Sequence, residues 1–130
     1  MGNFYKIKAV LRLKKKDNWE VKLLFLGDYI DRAPKDVKNG GFLTLLYLLC
    51  AKMIHKEEIF MLRGNHEAID LLTFAPYELP IEISDIFGEK ISEDVHEILM
   101  KIFSELPLFL KTGNGLIASH AGFIAILACR

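Results

Sequence analysis

Three short apolar runs, each followed at once by a short polar loop, limit how this chain can fold more than any other feature. The loops are residues 27–32, 63–67 and 119–122, which read GDYIDR, RGNHE and SHAG. An unbroken apolar run of about four residues is typical of a strand that is buried on both faces. Because open α/β sheets carry their chemistry in the loops at the ends of strands, the pattern predicts an α/β fold whose functional site is built from these three loops.

The remaining sequence supplies helical patterns between the apolar runs, as an α/β fold requires. Residues 4–13 fit a strand and one face of a helix equally well, and Pro76 and Pro80 are expected to end regular structure. The predicted elements are a strand over 19–26, a helix over about 37–55, a strand over 59–62, a short helix over 67–73, a helix capped by Ser92, and a hairpin with strands 106–110 and 116–118.

The composition predicts one domain over residues 1–130, because 52% of the residues are apolar and 26% are charged. The 17 basic and 17 acidic residues give a formal net charge of zero, so nothing favours nucleic acid or an anionic membrane as a partner. Cys50 and Cys129 form no CxxC pair. This favours two reduced thiols in the core of a cytoplasmic protein.

The first loop combines two carboxylates with a guanidinium group. Asp28 and Asp31 offer oxygen ligands to a divalent cation, and Arg32 presents a planar set of donors that matches a phosphate group. Gly27 allows the backbone to turn sharply and to approach a ligand closely. Taken alone, such a string is equally typical of an ordinary turn with a surface ion pair.

The second and third loops add an amide and two imidazoles. The side-chain oxygen of Asn65 is a neutral metal ligand, and the adjacent His66 is a candidate acid. His120 follows the last apolar run, where a lone histidine is more often structural. The prediction of a metal-dependent site therefore rests on the coincidence of three loops, whereas His55 and His96 are expected to be exposed or to cap helices.

The first two strings resemble two signature motifs of the calcineurin-like metallophosphoesterases. The extension YIDR at residues 29–32 is similar to their serine/threonine protein phosphatase branch, and the string at 119–122 resembles a later histidine–glycine motif. The resemblance spans residues from about 21 to 123. It implies a mixed β-sheet sandwich flanked by helices, and hydrolysis of a phosphoprotein or another phosphate monoester by a water that two divalent metal ions activate. Manganese, iron and zinc all suit the ligands.

The resemblance also implies a role for six side chains of the three loops. It assigns metal binding to Asp28, Asn65 and His120, catalysis to His66 and Asp31, and phosphate binding to Arg32.

The chain departs from the family pattern at several points. Residues 1–20 hold no glycine-aspartate-x-histidine-glycine motif, and Ala33 and Ala121 stand where the family usually has glycine. We therefore expect a domain that is incomplete at both ends, with the ligands of the first metal largely missing and an exposed apolar flank that favours self-association. Two alternatives stay open: a truncated, non-catalytic remnant that binds metal or a phosphorylated partner, and a hydrolase of dinucleotide polyphosphates from the same superfamily.

Overall fold

Helices and short strands alternate along the chain in the structure, which is a computed structural model that describes residues 22–31, 33–72, 75–113 and 115–122. The predicted α/β class is confirmed. The expectations for residues 4–13 and for Cys129 lie outside the described residues. The elements are β1 (Leu23–Phe25), α1 (Gly40–Ile54), β2 (Ile59–Met61), a 3-10 turn (His66–Ala68), α2 (Leu79–Phe87), α3 (Glu89–Glu105), β3 (Phe109–Lys111) and β4 (Ile117–Ser119).

The first two strands run parallel, and α1 forms the crossover between them. Leu24 pairs with Phe60 at the centre of the register. Parallel strands end at the same edge of a sheet, so the loops that follow β1 and β2 lie side by side. This arrangement is what brings the first two polar strings together.

The last two strands form the predicted antiparallel hairpin, in which Leu110 pairs with Ala118. The turn is closed by the Thr112 N–H, which donates to the Leu116 carbonyl at 2.8 Å. Because β4 ends at Ser119, the histidine at position 120 stands at the end of a strand, as the sequence predicts.

The core lies between α1, β2 and the pair of helices α2 and α3. Its members are side chains that are almost fully removed from solvent, including Leu45, Leu48, Ile59, Ile83 and Phe103. Truncation of such a leucine to alanine costs about 2–5 kcal/mol in the free energy of unfolding. The packed core therefore holds in place the strands and helices from which the loops extend.

Three helical predictions are corrected by the structure. Residues 79–87 form α2, although Pro80 was expected to end regular structure; proline occupies its first turn, where a missing N–H breaks no helical bond. The next helix begins at Glu89, and Ser92 lies inside it with its hydroxyl donating to the Glu89 carbonyl at 2.9 Å. Of the helix expected over 67–73, the structure describes residues 67–72, and the helical part there is the 3-10 turn His66–Ala68.

Several apolar and thiol side chains lie at the surface. Cys50 is exposed on α1 rather than in the core as predicted. Met53 and Ile54, at the end of the same helix, are 71% and 75% exposed. No helix within the described ranges is long and apolar enough to cross a membrane.

Candidate functional site

Two glycines allow the loops after β1 and β2 to approach each other. Gly27 adopts a φ of 106°, in the region that side chains rarely enter. A Cβ atom on Gly64 would lie 2.5 Å from the backbone nitrogen of Asp28 and 2.6 Å from its Oδ1 atom. No side chain fits at that distance, so the close contact between the loops requires glycine at position 64.

A fully buried carboxylate, that of Glu67, ties the two loops together. It accepts three backbone N–H bonds, and both of its oxygens are used. The donors are Asp28, Tyr29 and Gly64, at 2.8, 2.7 and 2.9 Å. Bonds to an ionised acceptor are stronger than neutral ones. Glu67 therefore fixes where the Asp28 carboxylate stands relative to the second loop, a role the sequence analysis missed although this glutamate closes the RGNHE string.

Three side chains that the sequence predicts as metal ligands meet at one point. The Nε2 atom of His120 lies 2.9 Å from the Oδ1 atom of Asn65 and 3.4 Å from Oδ1 of Asp28. The other ring nitrogen, Nδ1, lies 3.0 Å from the Leu26 carbonyl oxygen. A carbonyl can only accept, so Nδ1 donates its proton to it; in that tautomer the Nε2 lone pair would be available to a cation placed between it and the two oxygens.

The chemistry of this donor set suits a cation. A carboxylate oxygen, an amide oxygen and an imidazole nitrogen point to a common region, and all three are ligands of zinc, manganese or iron. We name this trio, Asp28, Asn65 and His120, the donor cluster. The part of the chain that the structure describes gathers no set of three or more His, Cys, Asp or Glu side chains suited to a metal, and the donor cluster reaches three only by including an amide.

The two predicted catalytic residues form a buried pair next to the donor cluster. His66 Nδ1 lies 3.0 Å from Oδ2 of Asp31, whose side chain is fully shielded from solvent. The second oxygen of Asp31 accepts the backbone N–H of Glu78 at 2.8 Å. The carboxylate is thus held from both sides, which fixes the orientation of the imidazole ring. We name Asp31 and His66 the acid pair.

The first two loops carry two arginines, Arg32, which is the predicted phosphate ligand, and Arg63. Arg32 lies outside the described residues. Arg63, which the sequence analysis did not single out, is buried; its Nε donates to the Glu67 carbonyl at 3.2 Å and its Nη2 pairs with Asp70. Arg63 therefore fixes the 3-10 turn that carries His66.

Tyr77, which lies near the Asp31 carboxylate, packs edge-on against His96. The Tyr77 hydroxyl lies 2.6 Å from Nε2 of His96, so His96 is neither exposed nor a helix cap as the sequence predicted. Burial, with a smaller contribution from the Asp31 charge, raises the pKa of Tyr77 to about 12. Burial lowers the pKa of His96. Both groups are therefore neutral near pH 7.

The chain matches a known family along nearly its whole length. The family model described as calcineurin-like phosphoesterase matches residues 1–128. A curated relative, the serine/threonine-protein phosphatase BSL2 of Arabidopsis thaliana, is 31% identical over 102 residues, which are 78% of this chain and 9% of that protein. The PP2A-like serine/threonine-protein phosphatase PPG1 of Candida albicans is 32% identical over 103 residues, 79% of this chain and 23% of that protein.

A solved structure shares the fold. A protein serine/threonine phosphatase from Saccharomyces cerevisiae, described as similar to human phosphatase PP5, superposes with a TM-score of 0.62 at 26% identity. The match covers 90% of this chain and 35% of that one. The chain therefore spans about a third of this neighbour and less than a quarter of the two curated relatives.

Proposed function

The chain belongs to the calcineurin-like phosphoesterase family, and from that premise we propose that its three loops hydrolyse phosphate monoesters in the manner of a serine/threonine protein phosphatase. The observation that carries the proposal is the adjacency of the acid pair and the donor cluster. Asn65 belongs to the donor cluster and His66, the next residue, belongs to the acid pair. A bound cation and the proton donor would therefore lie side by side.

The donor cluster would hold a divalent cation through Asp28, Asn65 and His120. When bound, such an ion acidifies a water and stabilises the charge of an in-line displacement at phosphorus. The family resemblance implies a second ion, which Asp28 would also help to hold. We propose manganese, iron or zinc, since each accepts this mixture of oxygen and nitrogen ligands.

The chain's own residues would bind the substrate and protonate the leaving group. Asp31 holds Nδ1 of His66, so Nε2 is the atom from which a proton would pass to the departing serine or threonine oxygen. Arg32 directly follows Asp31 and would bind the phosphoryl oxygens with its planar donors. No covalent bond between enzyme and phosphate is needed in this scheme.

Turnover by the manganese-loaded chain on a phosphoserine peptide tests the proposal, with His66→Asn as the variant. His55→Asn is a matched control, since His55 lies at the end of α1, away from the three loops. We expect the first substitution to reduce kcat by about a hundredfold or more, the range typical of a lost general acid, and the control to leave kcat unchanged. Equal rates for both variants would contradict the proposal.

The same preparation separates the alternative functions. Faster hydrolysis of a dinucleotide polyphosphate than of the phosphopeptide would favour the small-molecule hydrolase. A chain that binds one manganese ion and turns over neither substrate would favour the non-catalytic binding module. The number of manganese ions per chain, measured on the same sample, distinguishes a single-ion from a two-ion site.

A further inference from the structure

The first turn of α2 contacts the acid pair and the start of α1 at the same time. At its beginning, the Glu78 N–H donates to Oδ1 of Asp31 at 2.8 Å. One turn later, the Glu82 carboxylate accepts the Phe42 N–H at 2.6 Å and the Gly41 N–H at 3.1 Å. Glu82 is only 9% exposed, so both bonds are made out of contact with bulk water.

Glu82 replaces a cap that α1 lacks. The residue before the helix, Asn39, adopts a left-handed conformation with a φ of 54° and makes no side-chain capping bond. The first N–H groups of a helix have no partner within it, and those of Gly41 and Phe42 are served by Glu82. A negative charge is also favoured at this end of a helix. The carboxylate therefore fastens α2 to α1.

The hydrogen bonds between Glu82 and the start of α1 lie next to the backbone of the acid pair. A Cβ atom on Gly41 would lie 2.8 Å from Oε2 of Glu82 and 3.1 Å from the backbone nitrogen of Asp31. Glu78 precedes α2, and its carbonyl accepts the Glu82 N–H at 3.0 Å across the first turn of the helix, so the positions of the two residues are coupled. A displacement of Glu82 from α1 would therefore also displace the N–H that holds the Asp31 carboxylate.

We propose that Glu82 is a positioning residue for the acid pair: by fixing the first turn of α2, it keeps the Glu78 N–H on Asp31 and so keeps the His66 ring aimed for proton transfer. The inference rests on the proposed function, in which His66 protonates the leaving group. Glu82 does not touch the donor cluster in this scheme, and its effect is confined to the acid.

The leaving group of the substrate provides a readout that a purely structural role would not move. When the P–O bond breaks, the serine oxygen of a phosphoserine peptide leaves as a basic alkoxide and needs the proton, whereas 4-nitrophenyl phosphate releases a stabilised phenolate that needs it little. A mispositioned acid slows the first substrate much more than the second. General loss of folded protein lowers both rates by the same factor.

The test compares Glu82→Gln with Asp85→Asn in the full, manganese-loaded chain. Glutamine keeps the shape but faces two N–H donors with only one acceptor atom. Asp85 lies on the same helix, and its carboxylate makes an exposed ion pair with Lys38 at 3.1 Å, so its substitution controls for the lost charge. We expect the glutamine variant to lower kcat on the phosphoserine peptide about tenfold or more, part of the general-acid effect, with KM and the 4-nitrophenyl phosphate rate nearly unchanged. Equal losses on both substrates would overturn the proposal.

A second measurement needs no turnover. In the metal-free chain, the Nδ1 proton of His66 bonded to Asp31 is followed by proton–nitrogen NMR. We expect it to persist in Asp85→Asn and to be lost in Glu82→Gln. An unchanged resonance in Glu82→Gln would overturn the proposal. If the wild-type chain hydrolyses neither substrate, the proposed function fails, and this resonance alone decides the role of Glu82.

Discussion

Nε2 of His120 lies 2.9 Å from the side-chain oxygen of Asn65, although 55 positions separate the two residues in the chain. The contact exists because the β3–β4 hairpin delivers His120 to the edge where β1 and β2 end. The other ring nitrogen meets the carbonyl of Leu26, the residue after β1. The donor cluster therefore depends on the docking of the hairpin as much as on the parallel strands.

Removal of the His120 imidazole should weaken metal binding. We expect His120→Asn to reduce the affinity for manganese at least about tenfold, since changes even in groups that support a ligand cost that much. Isothermal titration with manganese measures the affinity, and His55→Asn provides the same substitution away from the loops. Equal affinities for the two variants would show that His120 is not a ligand.

Neutralising the buried carboxylate between the loops should destabilise the fold. Glu67→Gln leaves an amide facing three N–H donors, and an unsatisfied buried donor costs about 1–3 kcal/mol. Urea denaturation gives the free energy of unfolding. The matched substitution Glu57→Gln, at an exposed position, should change it by less than about 0.5 kcal/mol. If Glu67→Gln lowered the free energy of unfolding no more than Glu57→Gln, the structural role of Glu67 would be contradicted.

A methyl group between the first two loops should force them apart. Gly64→Ala would place its Cβ 2.5 Å from the Asp28 nitrogen, and overpacking of this kind costs about 1–3 kcal/mol. Manganese affinity should fall as well, because Asp28 moves relative to Asn65. Gly113→Ala is the control, since a Cβ there meets nothing within 4 Å. Thermal melts and manganese titration of both variants check the prediction.

Acid should weaken the fold through His96. Burial lowers the pKa of His96 from its ordinary value of 6.5, so below that pH the unfolded chain binds a proton that the folded chain resists. The unfolded state then holds more protons, and stability falls as the pH decreases through about 6.5. His96→Gln, which can still accept from Tyr77, should lose less unfolding free energy between about pH 7.5 and pH 5.5. An identical loss in the variant would contradict this assignment.

The sequence predicts those features that depend on local pattern. The apolar runs before residues 27 and 63 predict two buried strands, and their polar ends predict a shared site; β2 is mostly buried as predicted, whereas β1 is only partly buried. The hairpin follows from GNG at residues 113–115 between two apolar segments. The beginning of α2 is not predictable in this way, because a proline is equally compatible with a break and with the first turn of a helix.

What the sequence cannot show are carboxylates whose partners are distant backbone groups. Glu82 bonds to N–H groups 40 and 41 positions away, and Glu67 bonds to two that are 38 and 39 positions away. A glutamate's type and spacing carry no sign of such partners, since most glutamates are exposed. The prediction that His96 is exposed or caps a helix is wrong for the same reason, because its partner, Tyr77, lies on the segment before α2.

Anomalous diffraction from crystals soaked in manganese tests the central claim most directly, that three loops gather one metal site beside an acid pair. We predict a manganese peak within bonding distance of Asp28 Oδ1, Asn65 Oδ1 and His120 Nε2, near the length of about 2.0–2.2 Å that zinc bonds to such atoms have. A peak bound elsewhere, or none at these three atoms in a fully soaked crystal, would contradict the account.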